Sequence, residues 1–143
     1  MAKVASSAVE AVEMGFLSPA GRIVMHSDRR FHVAKTEVIR LSREGYLPPP
    51  VMTHIKVLGR PAFAALKAGV YQYLQGRFIS DYDFQLALEL ARILTGGDIT
   101  GPQEVHEDYL LELERESFLR LLGEQKTQDR IAHILSTNKP LRN

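Results

Sequence analysis

The sequence contains no cysteine. Disulfides, thiolate nucleophiles and cysteine-bound metals are therefore excluded, and a cytoplasmic location is the expectation. Long apolar runs are also missing. The opening apolar residues are broken by Lys3, Ser6, Ser7, Glu10 and Glu13, so they make neither a signal peptide nor a membrane span. Neither charge sign dominates: 18 Lys and Arg stand against 17 Asp and Glu, and a net charge of +1 exerts no general pull toward nucleic acid or anionic lipid. No Gly-x-Gly-x-x-Gly follows an apolar stretch and no Gly-x-x-x-x-Gly-Lys-Ser/Thr occurs, which removes both phosphate-cradling loops. The five histidines, His26, His32, His54, His106 and His133, show no i to i+4 pairing, so a helical metal site has no support and no metal ligand is assigned.

What remains is a globular composition, 45% hydrophobic and 24% charged over 143 residues, a length that suits one domain. The reading is mostly helical, with about six helices and one short strand. Ser7 to Glu10 spells a capping box opening a short helix. Ser18-Pro19-Ala20-Gly21 is turn chemistry, and residues 22–26, rich in β-branched and apolar side chains, are the expected strand. Ser27 or Asp28 then caps a helix in which Phe31, Ala34, Val38 and Leu41 recur at helical spacing. Pro48-Pro49-Pro50 forces an extended linker, taken as residues 46–60. Pro61 suits the first position of the next helix, whose run to Leu74 carries one charge, Lys67. Ser80 caps a following helix with a narrow polar stripe of Gln85, Glu89 and Arg92, and Gly96-Gly97 stops it. Both helices call for cover on most sides. A charged helix is expected from Glu104 to Leu122, and Thr127 is expected to cap a last one before a polar tail.

Three features carry candidate chemistry. Glu114 falls inside the apolar arc of Leu110, Leu113, Phe118 and Leu121 at 100° per residue. A buried carboxylate there is either a general acid or base, or one half of an ion pair with Arg130 or Arg92, and the ion pair is the plainer reading. Arg29, Arg30, Lys35, Arg40 and Arg43 could meet phosphate, but Asp28, Glu37 and Glu44 dilute them into an ordinary solvated face. Lys139 precedes Pro140, which holds its surroundings extended beyond the last helix. No spacing rule sorts the remaining carboxylates and serines into catalytic roles, so no catalytic residue is assigned.

Three stretches together resemble the end of the crotonase-type domain in bacterial multifunctional fatty-acid oxidation proteins, which join a 3-hydroxyacyl-CoA dehydrogenase to an enoyl-CoA hydratase. They are the opening Met1-Ala-Lys-Val-Ala-Ser-Ser-Ala-Val-Glu-Ala through Gly15-Phe16-Leu17, then Lys56-Val57-Leu58-Gly59-Arg60, then Tyr109-Leu-Leu-Glu-Leu-Glu-Arg-Glu-x-Phe118. The last continues through Lys126-Thr127-Gln128-x-Arg130-Ile131-x-His133 to Lys139-Pro140-Leu141-Arg142-Asn143. The resemblance spans nearly the whole chain, and its final stretch is the most specific. It implies a single domain fragment: residues 1–45 as the helix-strand-helix end of a crotonase-like core, 46–60 as linker, and 61–143 as a C-terminal helical bundle. It also implies that the oxyanion-hole donors and hydratase glutamates lie upstream. The parent would use NAD and CoA thioesters, with no cofactor held wholly in this chain. Its partners would be the rest of the enzyme, acyl-CoA and further copies of itself. Lys139 is the counterpart of a family lysine near the adenine end of CoA. The rival reading is an independent helical binding module, such as a DNA-binding regulator, built on the basic helix.

Overall fold

The computed structural model describes residues 4–143. Among them are six α-helices, one 3-10 turn and one two-stranded sheet, a mostly helical architecture. The chain divides at Pro49/Pro50 into two compact units, Met1–Pro49 and Pro50–Asn143.

In the first unit, α1 spans Ala8–Glu13 with Ser7 as N-cap, its Oγ accepting the Glu10 N–H at 3.1 Å. The capping box does not close as the sequence suggests. The Glu10 carboxylate instead accepts the Ser6 hydroxyl at 2.6 Å and the Ser6 N–H at 2.8 Å, and these bonds hold its pKa below the usual range. The turn at Ser18 forms, with the Gly21 N–H donating to the Ser18 carbonyl at 2.9 Å. Residues 22–26 are not a strand: β-branched composition favours extended backbone, but no second segment pairs with it. A 3-10 turn, Ser27–Arg29, leads into α2, Arg30–Arg43. Neither Ser27 nor Asp28 caps α2, because that turn places Arg29 at the N-cap position without a side-chain bond.

The second unit begins with β1, Ile55–Val57, which pairs antiparallel with β2, Gln103–Val105, in the register Ile55↔Val105, Lys56↔Glu104, Val57↔Gln103. Opposite charges thus face each other across the centre of the ladder, a favourable cross-strand pair. Between the strands lie α3, Gly59–Gln75, and α4, Asp81–Leu94; after them come α5, Glu107–Leu122, and α6, Gln125–Thr137. Helix α3 packs on α4, α4 on α5, and α5 on α6. Two expectations shift here. Residues 55–57 and the start of α3 lie inside the stretch read as linker, and residues 103–105 are strand where helix was expected, because each supplies the other's hydrogen-bonding edge.

Close approach explains the glycines at this junction. Gly59, at φ +67°, donates its N–H to Thr95 O, and a Cβ there would lie 2.4 Å from Ile99 O. Gly96, at φ +89°, ends α4 while Val57 packs against it, so a Cβ would meet the Val57 side chain at 2.7 Å. Val57, Ala91, Val105 and Leu113 are buried and form the core of this unit. The expectation that α3 is covered on most sides does not hold within the chain. Leu66, Tyr71 and Tyr73 are exposed, since α4 and the loop after it reach only part of the helix.

Candidate functional site

The densest polar constellation lies where the start of α4 meets α6 and the tail. Ser80 caps α4 with a complete box: its Oγ accepts the Asp83 N–H at 3.1 Å, and Asp83 Oδ2 accepts the Ser80 N–H at 3.2 Å. That fixes the carboxylate so that Oδ1 receives Arg130 Nη1 at 2.7 Å, from α6. The guanidinium also lies 5.0 Å from the centre of the Tyr82 ring, and Lys126 Nζ lies 5.6 Å from it, both within cation–π range. Tyr82 is 3% exposed, and its hydroxyl shares a short hydrogen bond with Thr127 Oγ1. Asn143 closes the cluster: its Oδ1 accepts Arg130 Nε at 2.8 Å, its Nδ2 donates to Lys126 O at 3.3 Å, and its backbone oxygen accepts the Ser80 hydroxyl at 3.1 Å.

Partial burial of Asp83 works to raise its pKa, but the Arg130 hydrogen bond, the Ser80 N–H and the Arg130 charge outweigh it, and the net pKa is lowered. With both carboxylate oxygens engaged and the ionised form favoured, Asp83 ties the start of α4 to α6. A second network joins α4 to α5. Ser117, 1% exposed, donates to Glu89 Oε2 at 3.1 Å and accepts Arg92 Nη1 at 3.4 Å, while Arg120 pairs with Glu89 and Arg92 with Glu116 at 3.5 Å. The polar stripe of α4 is therefore turned partly toward α5 and not wholly to water.

The structure corrects the reading of Glu114. It is exposed and forms no ion pair among the described residues; Arg130 is taken by Asp83 and Arg92 by Glu116. The helix phase explains this, because the buried face of α5 runs through Leu113 and Ser117 while Phe118 points outward, 59% exposed. Thr127 is likewise no cap. It sits inside α6, whose N-cap position is Glu124, and its hydroxyl serves Tyr82. Lys139 lies exposed beyond Asn138, which ends α6 in the left-handed conformation; the Lys139 N–H donates to Thr137 Oγ1 at 3.2 Å. Arg40 on α2 forms ion pairs with Glu37 and Glu44. The histidines are dispersed: His54 bonds Glu104 at 3.0 Å, and His106 caps α5 by accepting the Asp108 N–H at 3.2 Å. Among the described residues no three His, Asp or Glu side chains are grouped as metal ligands.

Sequence reasoning missed the union of Ser80, Tyr82 and Asp83 with Arg130 and Asn143. Its parts were visible, in the Ser80 cap and in the patterns around Arg130 and Asn143, but nothing local links positions some fifty residues apart.

Over all 143 residues the chain is 43% identical to a protein of Bacillus subtilis (strain 168) described as a probable 3-hydroxyacyl-CoA dehydrogenase, and it spans 18% of that protein's length. No family model matches the chain, and no solved structure does. The likeness thus supports a relationship to one segment of a larger 3-hydroxyacyl-CoA dehydrogenase. Among the described residues no helix is long and apolar enough to cross a membrane.

Proposed function

We propose that this chain is the C-terminal, non-catalytic segment of a bifunctional 3-hydroxyacyl-CoA dehydrogenase and enoyl-CoA hydratase of fatty-acid β-oxidation, cytoplasmic, contributing subunit association and part of the acyl-CoA pocket wall. The observation that carries the reading is 43% identity along the full chain to a dehydrogenase five times its length or more, of which it matches 18%. The crotonase-like motifs of the sequence supply the hydratase half of the proposal. The polar groups between helices of the second unit are bonded to one another, Asp83 to Arg130 and Ser117 to Glu89, which suits a scaffold.

The residues present do not fit NAD: the chain has no glycine-rich dinucleotide loop, so that cofactor belongs elsewhere in the parent. For CoA the candidate is one exposed cation, Lys139, whose ammonium group could pair with a phosphate. Exposed apolar side chains on α3 and α4, including Tyr71, Tyr73, Leu90 and Leu94, are the surface available for association.

The test compares the purified chain with a longer polypeptide that contains it. The longer form is expected to hydrate crotonyl-CoA and to oxidise 3-hydroxybutyryl-CoA with NAD, while the chain alone does neither. In the longer form Lys139→Ala is expected to raise KM for the acyl-CoA with kcat unchanged. Light scattering at micromolar concentration is expected to find the chain self-associated. Enzyme-like turnover by the chain alone, or none by the longer form, overturns the proposal.

A further inference from the structure

Helix α6 meets the second unit through a largely polar face. Its apolar residues Ile131, Ile134 and Leu135 are exposed, the last at 82%, whereas Thr127, Arg130 and His133 are the half-buried positions, and no residue of the helix is fully buried. An amphipathic helix ordinarily docks through its apolar stripe. Here the half-buried positions are polar and Ile131 and Ile134 lie at the margin of the contact, so apolar burial of α6 is only partial.

The contacts to α4 that do hold it are polar. Arg130 bonds Asp83 and stacks over Tyr82, and Thr127 meets the Tyr82 hydroxyl. The tail doubles back to close the arrangement. The Asn143 carboxamide uses both ends, accepting from Arg130 Nε and donating to Lys126 O, while its backbone oxygen accepts from Ser80 Oγ and, at 3.4 Å, from Arg130 Nη2. Hydrogen bonds of this kind exchange readily for bonds to water, so each adds little net stability. Elements tied by few apolar contacts open locally before the rest of a fold. Gly123 and Glu124 are the two residues that join α5 to α6.

We propose that α6 and residues 138–143 form a flap that swings off the second unit as one piece, with Asp83, Arg130 and Asn143 as its latch and Tyr82 as the surface it covers. Opening bares the Tyr82 ring and frees the Asp83 carboxylate. This inference rests on the geometry alone and stands or falls separately from the enzymatic reading.

Hydrogen–deuterium exchange on the full chain tests it. Backbone amides of α6 are expected to exchange faster than those of α4 and of the β1–β2 ladder. Asn143→Ala, which removes both carboxamide bonds, is expected to speed exchange across α6 by about ten-fold, and Arg130→Gln by more, since charge-assisted bonds are the stronger ones. Neither variant is expected to change the rates in α3 or the ladder. Lys139→Ala, which removes no latch contact, leaves α6 unchanged. Should Arg130→Gln fail to fold, Asn143→Ala decides alone. The proposal is overturned if α6 exchanges in step with α4, if Asn143→Ala leaves α6 rates as they were, or if a variant accelerates α3 and the ladder as much as α6.

Discussion

The two units use the same kinds of local signal and arrive at different degrees of closure. In residues 50–143 a three-residue ladder, helices packed in series from α3 to α6 and the glycine junction enclose Val57, Ala91, Val105 and Leu113. In residues 4–49 no side chain is buried: Phe31 is 74% exposed and Met25 94%, although α1 and α2 are well formed. Caps and helix periodicity suffice to define a helix, but only contacts between segments distant in sequence give it something to pack against.

That contrast can be broken most forcefully at the core. Leu113→Ala is expected to cost about 2–5 kcal/mol, the usual range for truncating a buried leucine. Phe31→Ala in α2 is expected to stay within about 0.5 kcal/mol, as for an exposed site. Thermal melts followed by circular dichroism measure both; equal losses would mean that α2 is covered after all.

A smaller effect compares the two serine caps. Ser80→Ala is expected to destabilise by about 1–2 kcal/mol, at the upper end for an N-cap because its hydroxyl also holds Asn143. Ser7→Ala removes the same kind of cap bond but is expected to leave the main melting transition unmoved, since α1 has no buried residue. Parallel shifts in the two variants would show that the units melt together.

Acid gives a third comparison. The folded pKa of Asp83 is lowered, so its ionised form contributes stability above the unfolded value, about 3.9, and that contribution is lost as pH falls through the lower folded value. The melting temperature of the second unit is expected to drop below about pH 4, and Asp83→Asn is expected to flatten that drop. A steep acid transition retained in Asp83→Asn would assign it to other carboxylates. The smallest effect is at Glu114, where Glu114→Ala is expected to shift stability by no more than about 0.5 kcal/mol because the side chain is exposed. A clear loss in urea titration would return Glu114 to the interior.

Legibility followed the range of the interaction. Ser7 and Ser80 as caps, the stop at Gly96 and the break at the three prolines depend on neighbours within a few residues, and each stands in the structure. The strand expected at residues 22–26 failed for want of a partner, while Ile55–Val57 and Gln103–Val105 are too short to show an alternating pattern and become strands only by finding each other. Glu114 was placed by counting 100° steps over an arc whose true centre, Leu113 and Ser117, is set by where α4 lies. The candidate site was readable in pieces and not as a site.

By itself the sequence determined the helical class, the caps at Ser7 and Ser80, the stop at Gly96 and the turn at Ser18, because caps, proline and glycine act through the backbone of adjacent residues. Tertiary structure decided which strands pair, that Arg130 answers Asp83 and Asn143, that α6 turns its polar side inward, and that one unit has a core and the other none. Those outcomes depend on which surfaces meet, and segments some fifty positions apart leave no mark of their meeting in either segment alone.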